Sequence, residues 1–156
     1  MSLPIDWNSP AGELAKLVIA YVLALPVGWY REQEAHSMGI RTFPLVAMAS
    51  CGYVLTAMPD SGIHLDAQSR VIQGLVTGIG FIGGGAILKS GRNVHGTATA
   101  ASIWNTGVLG VVVAQNRFGL ALTLSILNLV ALRLLLPLKQ KLTRHRGDEL
   151  ERGEPK

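Results

Sequence analysis

The chain has 156 residues, 49% of them hydrophobic and only 15% charged, with 18 glycines and a mean hydropathy of +0.34. This length holds one domain, and the charged fraction falls well below the roughly 25% of a soluble domain; together they exclude a disordered or acidic-tail protein and argue against a cytosolic enzyme. The net charge of +4 does not point to nucleic acid: half of the Lys and Arg residues lie beyond residue 130, interleaved with Asp148, Glu149, Glu151 and Glu154 and with no aromatic side chain to stack on bases.

Five apolar runs follow one another, at residues 14–30, 43–58, 71–88, 98–114 and 118–136. Each approaches the roughly 17 to 25 residues that cross a bilayer as a helix. Apolar residues surround each run instead of forming one stripe. The expected fold class is all-α: a polytopic membrane bundle of five transmembrane helices over residues 1–138, with a charged cytoplasmic tail over 139–156.

The first run has Asp6 before it and no Lys or Arg before Lys16, so it does not read as a cleaved signal peptide. Trp29-Tyr30 at its end suits a headgroup belt. Lys16 and Arg133 are the charges inside the runs; each lies near an end and is expected to snorkel outward. No Asp or Glu falls inside a run. This weighs against a proton- or sodium-coupled transporter, which keeps an ionisable group at mid-membrane. Cys51, the single cysteine, lies in the second run and reads as a small buried hydrophobe.

Five spans put the termini on opposite sides. Eleven basic residues then fall on the side of the C-terminus and three (Lys16, Arg70, Arg117) on the other. The positive-inside rule places the N-terminus outside and the C-terminus in the cytoplasm.

The third run is rich in glycine, with Gly74, Gly78, Gly80, Gly83, Gly84 and Gly85. Spacings of four let helix backbones approach closely in lipid. The fourth run answers with a row of Ala98, Ser102, Thr106 and Gly110. The two runs are expected to pack on these faces, against each other or across subunits of a homo-oligomer. Three consecutive glycines at 83–85 suggest a break, a kink or a close approach. Asn105 is costly in lipid unless paired, and Asn128 or a carbonyl at the glycine break is its expected partner. Gly78-Ile-Gly80-Phe-Ile-Gly83 satisfies a dinucleotide pattern, but no acidic residue stands about twenty positions on.

Two polar loops share the cytoplasmic side in this topology. They offer a cluster of Arg31, Glu32, Arg41, Thr42, Arg92 and Asn93. It reads as solvated loops, as a partner or anion site, or, through Glu32, Glu34, His36 and His95, as a cation site. Asp60, His64 and Asp66 on the outer side are weaker still as a cation site. No nucleophile and base can be paired. No catalytic residue, metal ligand or cofactor is assigned.

These segments resemble the MgtC/SapB family of bacterial inner-membrane proteins. The resemblance rests on Gly28 with Arg31-Glu32, on Gly39-Ile40-Arg41-Thr42, on Arg70, on the glycine motif from Gly78 to Leu88, and on the stretch from Gly96 to Trp104. It implies a multi-pass inner-membrane protein that serves adaptation to magnesium limitation or stress, and virulence in pathogens. It implies action on other membrane machinery, the F-type ATP synthase included; that no nucleophile–base pair or metal set can be named argues against an enzyme. A small oligomeric cation (Mg²⁺) transporter or channel is the alternative. Tyr30 stands where the family commonly has a Glu, and longer members carry a soluble C-terminal domain where this chain has a short charged tail. The bilayer, other membrane proteins and further copies of the chain are the expected partners.

Overall fold

The computed structural model describes residues 6–35, 38–58, 65–90 and 93–134. Among them, helices α1 (Pro10–Ala35), α2 (Thr42–Thr56) and α3 (Leu65–Gly85) are followed by a ribbon of β1 (Leu88–Ser90) and β2 (Asn93–His95), then by α4 (Thr97–Ala114) and α5 (Phe118–Leu134).

Local chemistry sets the boundaries. Ser9 Oγ accepts the Gly12 N–H at 3.2 Å, and Pro10 takes the first helical position, where its missing N–H costs nothing. α3 ends on its glycines: the Ala86 and Ile87 N–H groups donate to the Gly83 and Gly84 carbonyls at 3.0 and 3.1 Å. The chain then doubles back, with Leu88 opposite His95 and Ser90 opposite Asn93. Gly96 starts α4 at φ +84°, and a side chain there would run into the Ala86 carbonyl oxygen. Both demands select glycine. Asn116 (φ +62°) turns the chain between α4 and α5.

The core lies around α4. Its Ile103, Leu109, Val112 and Val113 pack with Ala20, Ala24 and Val27 of α1 and with Phe43, Ala47, Cys51 and Val54 of α2. Small residues bring the backbones together. A Cβ on Gly110 would meet the Ala47 carbonyl oxygen and, at 2.9 Å, the Cys51 nitrogen. One on Gly28 would meet the Gly39 oxygen at 3.1 Å. α1 turns Leu14, Val18, Val22 and Trp29 outward, and α5 turns out Leu122, Ile126, Leu127, Val130 and Leu134.

Two helices, Pro10–Glu34 and Thr97–Ala114, are long and apolar enough to cross a membrane. The apolar α2 and α5 are shorter. At 1.5 Å per residue, α2 reaches about 22 Å, against about 30 Å of hydrocarbon.

Three expectations change. The third helix begins at Leu65 and ends at Gly85, because its first turns are polar and its glycines form a C-terminus and not an interior break. The loop that follows is a β-ribbon. Lys16 is 2% exposed: it folds into the bundle where a side chain reaching outward is expected.

Candidate functional site

The last turn of α1, the start of α2, the ribbon and the first turn of α4 converge at one end of the bundle. Arg31 is the centre of this end, 7% exposed. Its Nη1 donates to Glu34 Oε2 at 2.8 Å, and its Nη2 donates to Thr99 Oγ1 of α4 at 2.5 Å. Its Nε is buried without a hydrogen-bond partner. Glu34 also accepts the Tyr30 hydroxyl through Oε1 at 2.9 Å. The Arg133 guanidinium of α5 stands 5.4 Å from the centroid of the Tyr30 ring, within cation–π range. A continuous chain of polar contacts, from Arg133 through Tyr30, Glu34 and Arg31 to Thr99, thus ties α5, α1 and α4.

Glu32 faces another way. Its Oε2 accepts the Ile40 backbone N–H at 3.1 Å, holding the approach to α2 against the end of α1. Gly39 makes this fit possible: any side chain there would collide with the Glu32 carboxylate and, at 2.7 Å, with the Glu32 Cα.

The cluster expected from the sequence is therefore divided. Arg31 and Glu32 serve two separate contacts. Arg41 is exposed and, with Thr42, lines a groove between α2 and α3. Asn93 opens β2. Arg92 and the tail over 139–156 lie outside the described residues, as do His36, Asp60 and His64. Glu34 is engaged by Arg31 and Tyr30, and the described residues contain no group of three that could hold a metal ion.

The packing residues are also distributed differently. Of the six glycines on α3, Gly83 alone meets α4, with a Cβ position 3.3 Å from the Ala100 oxygen. Gly74, Gly78, Gly80, Gly84 and Gly85 face open space. The polar row of α4 turns to α5 and α2 instead. Ser102 Oγ donates to Asn128 Oδ1 at 2.9 Å, and Asn128 Nδ2 returns a bond to the Ser102 carbonyl at 3.4 Å. Asn105 is one turn too far along to reach Asn128; its Nδ2 donates to the Leu124 carbonyl at 3.3 Å. Thr106 bonds back to the Ser102 carbonyl at 2.8 Å. Gly107, not singled out by the sequence, receives Ile79 of α3.

Thr99, Tyr30, Glu34 and Arg133 are the site residues that sequence reasoning did not join to Arg31. One signal was local: Arg31–Glu34 and Tyr30–Glu34 have the i,i+3 and i,i+4 spacings of facing side chains.

The sequence profile of the MgtC family matches residues 17–141. Among curated proteins, the chain is 36% identical to Protein SrpB of Synechococcus elongatus over 129 residues, covering 75% of this chain and 69% of that one. It is 34% identical to Protein MgtC of Salmonella typhimurium over 118 residues, 76% of this chain and 50% of that one. It is 30% identical to YhiD of Escherichia coli, named as a candidate magnesium transporter, over 126 residues, 76% of this chain and 58% of that one. The chain thus spans about half the length of MgtC and YhiD. No solved structure matches it. The apolar helices, the outward-facing Leu, Val and Trp side chains and the match over nearly the whole bundle together lead to one assignment: the chain is a membrane protein of the MgtC family.

Proposed function

We propose that this chain is a non-catalytic, multi-pass protein of the bacterial inner membrane that modulates other membrane machinery during adaptation to magnesium limitation. Five spans with the N-terminus outside and the C-terminus in the cytoplasm are part of this reading. The observation that carries it is the placement of the acidic residues. Glu13 and Asp66 lie in first helical turns, and Glu32 and Glu34 lie in the last turn of α1. The latter two are engaged by Ile40 and by Arg31 and Tyr30. Coupled transport needs an ionisable group that exchanges its cation at mid-depth; here these four acids lie near helix ends, and the centre is filled by Ala24, Ala47, Ile103 and Val113. A rigid bundle with a braced polar end suits a protein that acts by contact. The family resemblance puts the F-type ATP synthase among the partners, and stress or virulence among the settings.

The second reading, a small oligomeric Mg²⁺ transporter or channel, is favoured by the name of YhiD. Magnesium flux into liposomes holding the purified chain separates the two. The modulator reading expects no flux above empty liposomes, together with a growth defect of a deletion strain at low magnesium that the wild-type gene rescues. Flux that scales with protein content overturns it.

A further inference from the structure

A groove of about 820 Å³ lies open between α2 and α3. Its α2 wall carries Leu45, Ala49 and Tyr53, and its α3 wall carries Gly74 and Gly78, with Arg41 at one mouth. Neither glycine has an atom within 4 Å of its Cβ position, so this stretch of α3 presents bare backbone. The chain accepts the poor helix propensity of glycine here without using it for its own packing. Phe81, which also lines the groove, is 86% exposed.

We propose that this groove seats one acyl chain of an anionic phospholipid, with the lipid phosphate held at Arg41. The proposal goes beyond the modulator reading and depends only on the chain residing in a bilayer. Length supports it. Arg41 and Tyr53 are twelve residues apart along α2, or about 18 Å, close to the depth of one leaflet, which is half of about 30 Å. Charge supports it as well. Arg41 makes no ion pair among the described residues and stands next to the first turn of α2, whose N-terminal dipole also favours an anion. The walls are apolar along the depth of the groove and cationic at its end, which is the amphipathic profile of such a lipid. A second copy of the chain fits less well. Two copies inserted in the same sense and related by a two-fold axis along the membrane normal hold their Arg41 side chains level, cation facing cation.

The test is native mass spectrometry of the purified full chain with phosphatidylglycerol and phosphatidylcholine of identical acyl chains, with inorganic phosphate as competitor. The wild type is expected to retain phosphatidylglycerol about tenfold better: both lipids carry the phosphate, but the choline cation of phosphatidylcholine repels Arg41 and cancels the lipid's net charge. Arg41→Gln removes that preference and leaves lipid retention. Gly78→Leu fills the groove and lowers retention of both lipids without lowering the thermal midpoint, since its side chain enters open space. Equal retention by the wild type, or an unchanged preference in Arg41→Gln, overturns the proposal. So does full displacement by inorganic phosphate, which makes the site one for the anion alone. A disulfide-linked dimer of Gly78→Cys in a Cys51→Ala background overturns it in favour of a second copy.

Discussion

Arg31 shows how one side chain near the end of an apolar helix becomes structural. A guanidinium at this depth can reach headgroup water or fold inward, and inward burial is tolerated only with partners. Glu34 neutralises it and Thr99 accepts from its far nitrogen. Arg31→Ala strips Glu34 and Thr99 of that partner together. We expect a loss of about 3 kcal/mol, the lower part of the range for breaking a buried pair, because Glu34 retains some exposure. It reads as a lower thermal midpoint in detergent. Arg31→Lys restores the charge but not the two-pronged geometry, and its rescue is expected to be partial. Thr99→Val removes one hydrogen bond to a charged group and is expected to cost about 1.5 kcal/mol. Tyr30→Phe gives a milder result: the ring under Arg133 stays and the bond to Glu34 goes, for about 1 kcal/mol. Equal midpoints for wild type and Arg31→Ala would reduce this network to a solvated helix end. The Tyr in place of the family's usual Glu thereby has a physical account. Its hydroxyl supports Glu34 from the side opposite Arg31, and its ring receives Arg133.

At the scale of the elements, glycines that look alike in sequence fall into two groups. Gly110 of α4 touches the backbone of α2, whereas Gly78 and Gly84 of α3 touch nothing. Gly110→Ala is expected to push α2 and α4 apart and cost about 2–3 kcal/mol, as overpacking does. Gly78→Ala and Gly84→Ala are expected to be neutral or to stabilise by up to about 1 kcal/mol through helix propensity. Thermal unfolding of the three variants decides this, and the reverse ranking would mean that α3 is packed in the membrane. The same contrast marks what the sequence reveals. α1 and α4 are legible because long uniform hydropathy needs no partner to be recognised. The glycine motif declares that close approach or exposure matters, but one residue per turn cannot say which helix comes near. Asn105 and Asn128 illustrate the limit. Both must be paired in lipid, and Ser102 is the one that stands level with Asn128. The ribbon escapes because three-residue strands give no period to detect, and their polar residues read as a loop. Arg31 is singled out by the sequence, but its pairing escapes for another reason: its partner Thr99 is 68 positions away.

For the whole molecule, the contacts separate two ends. Arg31 with Thr99, Gly39 with Glu32, Gly96 with Ala86 and Tyr30 with Arg133 gather the ends of α1 and α5 and the starts of α2 and α4, beside the ribbon. Trp7 packs on Phe118 at the opposite end, with the ring planes tilted by 46° and the centroids 4.8 Å apart. The first end holds Arg31, Arg41, Lys89 and Arg133, whereas Lys16 and Arg70, in the second turns of α1 and α3, and Arg117, in the α4–α5 turn next to Phe118, lie toward the other. The positive-inside rule predicts that the braced polar end faces the cytoplasm. Single cysteines in a Cys51→Ala background test this, because the native thiol is buried in the core and its removal costs little surface chemistry. Gln115→Cys, in the α4–α5 turn, is expected to react with a membrane-impermeant maleimide in intact spheroplasts. Lys89→Cys, on the ribbon, is expected to react only after the membrane is permeabilised. Labelling of both in intact spheroplasts would mean that α4 does not cross, since α4 is the one helix between these two positions. Labelling of Lys89→Cys alone would invert the bundle and expose the Arg31 network to the outside, where a cytoplasmic partner could not reach it.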